Sequence, residues 1–175
     1  NVSFRINPGE RVGIVGPNGA GKSTVFAMLA GELSPDAGEV TIPRNCRLGY
    51  LHQQIRPHAD DATLLDYAEG GLPELVTMHH EIESLEHRLS EAAPDQDELL
   101  DRLGHLQTRY ENMGGYAMRH RAESALSGLG FRERDFGKAF ATFSGGWQMR
   151  AELARVTVAE PEVLMMDEPS NYLDT

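Results

Sequence analysis

Val2, Phe4 and Ile6 alternate with polar residues, so the chain opens inside a strand-like run. The apolar run Arg11-Val12-Gly13-Ile14-Val15 predicts a second strand, and a Gly-rich loop follows it. From Ser23 to about Leu33 the pattern predicts a helix with Phe26, Leu29 and Leu33 on one face. Ser34-Pro35-Asp36-Ala37-Gly38 reads as a turn. Val40-Thr41-Ile42 and Leu48-Gly49-Tyr50-Leu51 are strand candidates. Val163-Leu164-Met165-Met166-Asp167 is an apolar run ending in an acid, as a buried parallel strand would. The order strand, helix, strands, helices, strand predicts an α/β core.

The middle of the chain follows another rule. Leu75, Met78, Ile82, Leu85 and Leu89 are spaced 3, 4, 3, 4, and Leu99, Leu103, Leu106, Tyr110 and Met113 are spaced 4, 3, 4, 3. Both are heptad seams. Pro94 separates them, and Asp95 with Glu98 reads as a helix start with its capping partner. Gly114-Gly115 is positioned to end the second helix. The expectation is an antiparallel helical hairpin over 75–115, standing off a core made of 1–74 and 161–175. A helical subdomain over 116–160 completes the division. The opening in mid-pattern and the last residues, just past a strand and turn, lead to the further expectation of a domain truncated at both ends.

Composition narrows the function. Among 175 residues the formal charge is −11, which disfavours a protein that coats nucleic acid nonspecifically. Residues 75–116 hold nine acids against three arginines, a net −6. No apolar run is long enough to span a bilayer, and no secretory leader pattern is present. The single cysteine, Cys46, excludes an internal disulfide and suits the cytoplasm.

Gly16-Pro17-Asn18-Gly19-Ala20-Gly21-Lys22-Ser23 matches the phosphate-loop pattern between a predicted strand and a predicted helix. Glycines let successive N–H groups turn inward toward phosphate oxygens, and the helix adds the positive end of its dipole. Lys22 is positioned for the β- and γ-phosphates and the Ser23 hydroxyl for Mg²⁺, with Thr24 completing the loop. One of only two lysines occupies the required place. No guanine-reading Asn-Lys-x-Asp motif occurs, so ATP is the expected nucleotide. Asp167 at a strand end suits Mg²⁺, and Glu168 beside it suits a general base toward water.

Phe143-Ser144-Gly145-Gly146-Trp147-Gln148 opens a predicted helix some twenty residues before the strand ending Asp167-Glu168-Pro169. This resembles the ABC ATPase signature. Gly49-Tyr50-Leu51-His52-Gln53 looks like the Q-loop, with Gln53 toward Mg²⁺ and the attacking water, and Asp174 falls at the D-loop position. The resemblance covers essentially the whole chain. It is strongest to the first ATPase domain of ABC-F proteins, whose mark is a helical arm between Q-loop and signature. Ser170 and Tyr172 depart from that family's Asp-Glu-Pro-Thr-Asn-His-Leu-Asp run.

The resemblance implies a P-loop ATPase fold, with Ser144, Gly145 and Gly146 facing an ATP held by a second ATPase domain. It implies a soluble, cytoplasmic protein acting on the ribosome, and a switch histidine, an adenine-stacking aromatic and an interdomain linker outside 1–175. The alternative is the nucleotide-binding subunit of a membrane transporter, in which the segment between Q-loop and signature is compact. His79, Glu83 and His87 share a helix face that reads as solvated rather than metal-binding. Arg119, His120, Arg121, Arg132, Arg134 and Lys138 offer contacts for RNA phosphates, but neighbouring acids favour a solvated surface.

Overall fold

Two short parallel strands and the helices gathered beside them carry the architecture of the larger part of the chain. The computed structural model describes residues 3–44, 46–52, 62–91 and 96–167. Two compact units, Asn1–Arg44 and Asn45–Thr175, are each described by themselves.

In the first unit α1 (Lys22–Leu29) follows the Gly-rich loop. The helix stops at Leu29 and does not reach Leu33 as its pattern predicts. Ala30 N–H donates to Phe26 O at 2.8 Å, and Gly31 takes φ +76°. A left-handed glycine just past the last turn ends a helix, because only glycine enters that region without strain. Leu33 is left outside it and exposed. The runs at 2–6, 11–15 and 40–42 form no strand among the described residues. Phe4, Val12, Val15 and Val40 are exposed. A strand requires a laddered partner and a covered apolar face, and neither is present for these runs within the unit.

In the second unit β1 (Leu48–Leu51) and β2 (Val163–Met166) pair in parallel, with Leu48 opposite Val163 and Leu51 opposite Met166. Both were legible as strands, but β2 is not buried as its apolar run predicts: Met165 is buried while Leu164 and Met166 are exposed. Gly49 allows β1 to lie directly on the long helix α6 (Gly145–Val158): a Cβ there would come within 2.7 Å of Val156 Cγ1.

The helices α2 (Leu64–Glu69), α5 (Met118–Gly128) and α6 enclose the main core. Leu64, Tyr67, Leu126, Phe131 and Phe140 fill it, and Ala122, Ala151 and Ala154 let the helix backbones approach. A capping box starts α2, in which Asp66 N–H donates to Thr63 Oγ1 at 3.1 Å and Thr63 N–H donates to Asp66 Oδ2 at 3.0 Å. Though α2 falls within 1–74, its apolar side packs with α5 and α6.

The two heptad seams lie on α3 (Pro73–Ser90) and α4 (Gln96–Asn112), except that Met113, predicted in the second, falls past the end of α4 and is exposed. Leu75, Met78 and Ile82 pack with Tyr110 and Met118, with Leu103 and Leu106 at the margin. Outside this seam Glu74 pairs with Arg109 and Glu81 with Arg102. The turn after α4 brings Gly114 to φ +72°, and a Cβ on Gly115 would strike the Tyr110 ring at 2.3 Å. Pro94 and Asp95 lie outside the described residues.

Gly71 and Gly104 make opposite tests of this packing. A Cβ on Gly71 would overlap the Arg155 backbone oxygen at 1.9 Å, whereas one on Gly104 meets nothing within 4 Å. Gly71→Ala should lower stability by about 3 kcal/mol. Gly104→Ala, inside α4, should raise it by about 1 kcal/mol. Urea midpoints for the two variants check both, and a tolerated Gly71→Ala would contradict the close approach of α6 to the turn after α2.

Candidate functional site

The loop at 16–24 is shaped by its glycines. Gly19 and Gly21 adopt φ +80° and +93°, and Gly21 caps α1 without a side chain. Ala20 N–H donates to Pro17 O at 3.2 Å, closing a turn. Lys22 folds back over that turn, its ammonium donating to Gly16 O at 2.9 Å and Pro17 O at 3.1 Å. Two of three ammonium donors therefore tie the loop and hold the positive charge at its mouth. No acid lies in the first turn of α1. Ser23 and Thr24 are exposed beside it. Backbone N–H groups, a helix N-terminus and a fixed cation suit a polyphosphate.

Asp167 sits where β2 ends. It is 6% exposed, and its N–H donates to Leu51 O at 3.2 Å. The parallel pairing thus sets the carboxyl ends of both strands side by side, the edge at which open α/β sheets receive ligands. Gln53, two residues past Leu51, lies outside the described residues, as do Glu168 and Asp174. The loop at 16–24 and Asp167 belong to different units.

The tripeptide Ser144, Gly145, Gly146 heads α6. Ser144 is the N-cap in extended conformation, with no side-chain capping bond, and Gln148 N–H donates to its carbonyl at 2.8 Å. A Cβ on either glycine would meet nothing within 4 Å, so the helix start stands open. Its orientation is fixed from behind. Trp147 packs edge-on against Phe131 at 4.9 Å between centroids, and the Arg150 guanidinium lies 4.7 Å over the indole. An open, acid-free helix N-terminus can receive an anion.

A buried polar group two turns into α6 escaped the sequence reading. Glu152, 2% exposed, accepts from Tyr67 Oη at 2.5 Å and from Arg155 Nε and Nη2, both at 2.6 Å. Tyr67 also stacks on Phe140 at 3.7 Å. Burial, then the bond to Glu152, push the Tyr67 phenol well above the usual tyrosine range. The bond to Glu152 raises the Arg155 guanidinium as well. The available signal was Glu152 itself, an acid between Ala151 and Ala154 on the apolar face of α6.

Elsewhere, His79 and His80 each lie near the Glu83 carboxylate, at 3.4 and 3.5 Å, on an exposed face of α3. Among the described residues no cluster of three or more metal-ligating side chains occurs.

The family model described as ABC transporter matches residues 1–171. The chain is 41% identical to the tylosin resistance ATP-binding protein TlrC of Streptomyces fradiae, over 99% of this chain and 32% of that protein. It is 35% identical to ABC transporter F family member 4 of Arabidopsis thaliana, over 99% of this chain and 24% of that one. It thus spans about a quarter to a third of these curated relatives. A solved chain described as an inward-facing, metal-chelate type ABC transporter superposes with a TM-score of 0.62 at 22% identity, over 98% of this chain and 54% of that one.

The raised Tyr67 pKa fixes a pH dependence. An unfolded tyrosine loses its proton near pH 10, while the folded one keeps it, so stability from this group is complete below about pH 10 and falls as pH rises beyond it. Tyr67→Phe should therefore be less stable than the parent at pH 8 and lose less of its stability between pH 8 and 10.5. Thermal unfolding of both proteins at the two pH values is the measurement. Parallel losses would show that Tyr67 is not the titrating group.

Proposed function

The chain belongs to the ABC transporter family, and on that premise we propose that it is the first ATP-binding and ATP-hydrolysing domain of a soluble, cytoplasmic F-type protein that acts on the ribosome. The observation that carries the nucleotide reading is Lys22, whose ammonium is fixed on the Gly16 and Pro17 carbonyls at the head of α1. Bound Mg-ATP supplies the anhydride bond whose cleavage drives the cycle. Residues 16–24 cradle the phosphates, and Lys22 offsets their charge. Ser23, Asp167 and Gln53 are the candidate Mg²⁺ holders. Glu168 takes the proton of the attacking water. Ser144, Gly145 and Gly146, on the open start of α6, address an ATP held by a second ATPase domain. Asp174 is the candidate D-loop aspartate.

The ribosomal part of the reading rests on the helical insertion. F family members are among the relatives, and α3 and α4 carry the two heptad seams that a compact transporter subunit lacks. In this reading they form an antiparallel hairpin standing off the core. The crossed pairs Glu74 with Arg109 and Glu81 with Arg102 support it. Among the described residues no helix is long and apolar enough to cross a membrane.

Two substitutions separate binding from chemistry. Lys22→Ala should weaken ATP binding by tenfold or more, because a charge-assisted contact is removed. Glu168→Gln should keep ATP affinity and lower turnover by roughly 10²–10⁴. Equal loss of affinity in both variants, read by ATP titration and phosphate release in the two-domain protein, would contradict the assigned roles.

The arm is tested apart from the nucleotide site. Replacing residues 78–112 by a short Gly-Ser link removes no proposed phosphate contact, so ATP binding should survive while ribosome co-sedimentation falls. Unchanged co-sedimentation would remove the arm from the ribosome contact.

A further inference from the structure

α2 is tied both to α6 and to the segment that leads into the Ser144 turn. At its start, residues 62–65 pair with 136–140: Phe140 N–H donates to Ala62 O at 2.9 Å, Leu64 N–H to Lys138 O at 2.8 Å and Leu65 N–H to Phe136 O at 3.1 Å. Residues 140–142 then make one short helical turn, closed by Phe143 N–H on Phe140 O at 3.2 Å, and Ser144 follows. The Gln148 side-chain amide donates to the same Phe140 carbonyl at 3.4 Å. Just past the end of α2, Gly71 lies against the Arg155 carbonyl. The turn itself has no comparable ties. Ser144 makes no side-chain capping bond, and a Cβ on Gly145 or Gly146 would meet nothing within 4 Å. Its place is set by α6 and by what holds α6.

Between these two ties stands the bond from Tyr67 Oη to Glu152 Oε2 at 2.5 Å. Tyr67 is 1% and Glu152 2% exposed, so neither is within reach of a ligand. Packing alone does not require them. The Tyr67 ring stacks on Phe140 within 5° of parallel, and a phenylalanine would keep that stack. Apolar residues in place of a buried charged network are often neutral or stabilising. What the bond adds is direction: it prefers one length and one angle, whereas apolar faces repack. Glu152 comes eight residues after Ser144, about 12 Å along the helix axis at about 1.5 Å per residue. Over that length a tilt of about 5° would move the turn by about 1 Å, and a misplacement of that size costs about 10²-fold in rate.

We infer that Tyr67 and Glu152 are positioning residues for ATP hydrolysis: their bond holds α6 at the angle that presents Ser144, Gly145 and Gly146 to the ATP of a second ATPase domain. This role rests on the reading of that turn proposed above and adds the buried pair that aims it. Neither side chain touches nucleotide.

The test measures ATP affinity and turnover side by side in the two-domain protein, at a temperature where circular dichroism shows each variant folded. Tyr67→Phe removes one hydroxyl. It should lower kcat about tenfold and leave the ATP dissociation constant unchanged, because the phosphate contacts lie at 16–24. A triple variant, Tyr67→Phe with Glu152→Met and Arg155→Met, replaces the network by apolar groups. Its thermal midpoint should equal or exceed that of Tyr67→Phe while kcat stays about tenfold down, a split that a merely stabilising network would not produce. The triple variant decides the matter if Tyr67→Phe does not fold. Gly146→Asp, which puts a carboxylate on the open start of α6, tests the turn itself and should abolish turnover. If Gly146→Asp turns over like the parent, the reading of the turn falls and this role falls with it. If Gly146→Asp is inactive while Tyr67→Phe keeps full kcat, the reading of the turn stands and the positioning role is overturned. The positioning role is overturned equally if the triple variant regains kcat together with stability, or if Tyr67→Phe loses ATP affinity in step with kcat.

Discussion

A carboxylate buried on α6 must be matched, and the matching of Glu152 ties the helices together. Its two oxygens are taken by Arg155 on the same helix and by Tyr67 on α2. Removing one partner from a buried charge is far more destabilising than never burying it. Tyr67 must therefore stay where α2 puts it, stacked on Phe140, and α2 must stay against α6. The Thr63–Asp66 capping box and the turn through Gly70 and Gly71 set the height of α2, and the backbone at Gly71 touches the Arg155 carbonyl. The open Ser144 end of α6 inherits its direction from this arrangement.

The same unit treats charge in two ways. Within the core it is enclosed and matched atom by atom. On α3 and α4 the pairs Glu74–Arg109 and Glu81–Arg102 are solvent-exposed, where each is worth a fraction of a kcal/mol. The apolar seam of Leu75, Met78, Ile82 and Tyr110 holds these helices, and the exposed pairs bias which residues face one another. The surplus acid is left to solvent or to a basic partner.

Legibility in the sequence followed the range of the forces involved. The turn at 16–24 was readable because glycine conformations and a lysine reaching back five and six residues are local matters. The strands at 48–51 and 163–166 were readable as short apolar runs, although Leu164 and Met166 of the second are exposed, and the seams of α3 and α4 were readable because each buries a periodic apolar face. The runs at 2–6, 11–15 and 40–42 have the pattern of strands without a ladder in their own unit, and pattern alone cannot supply a partner. Leu33 fitted the helical period, but Gly31 ended the helix first. Glu152 was missed because its partner Tyr67 is 85 residues away. Gln53, Glu168 and Asp174 are proposed from motif alone, since they lie outside the described residues.

Gly49 has a mechanical meaning. With Val156 Cγ1 and Pro161 Cγ at 2.7 and 2.9 Å from where its Cβ would be, the strand fits α6 as a key fits a slot. One step of α6 along its axis, about 1.5 Å per residue, would drive Val156 or Pro161 across the β1 backbone. The helix cannot slide through this point. Its far end, the open turn at Ser144, is therefore held at a set distance along the helix axis from β1, with Gly49 as the stop.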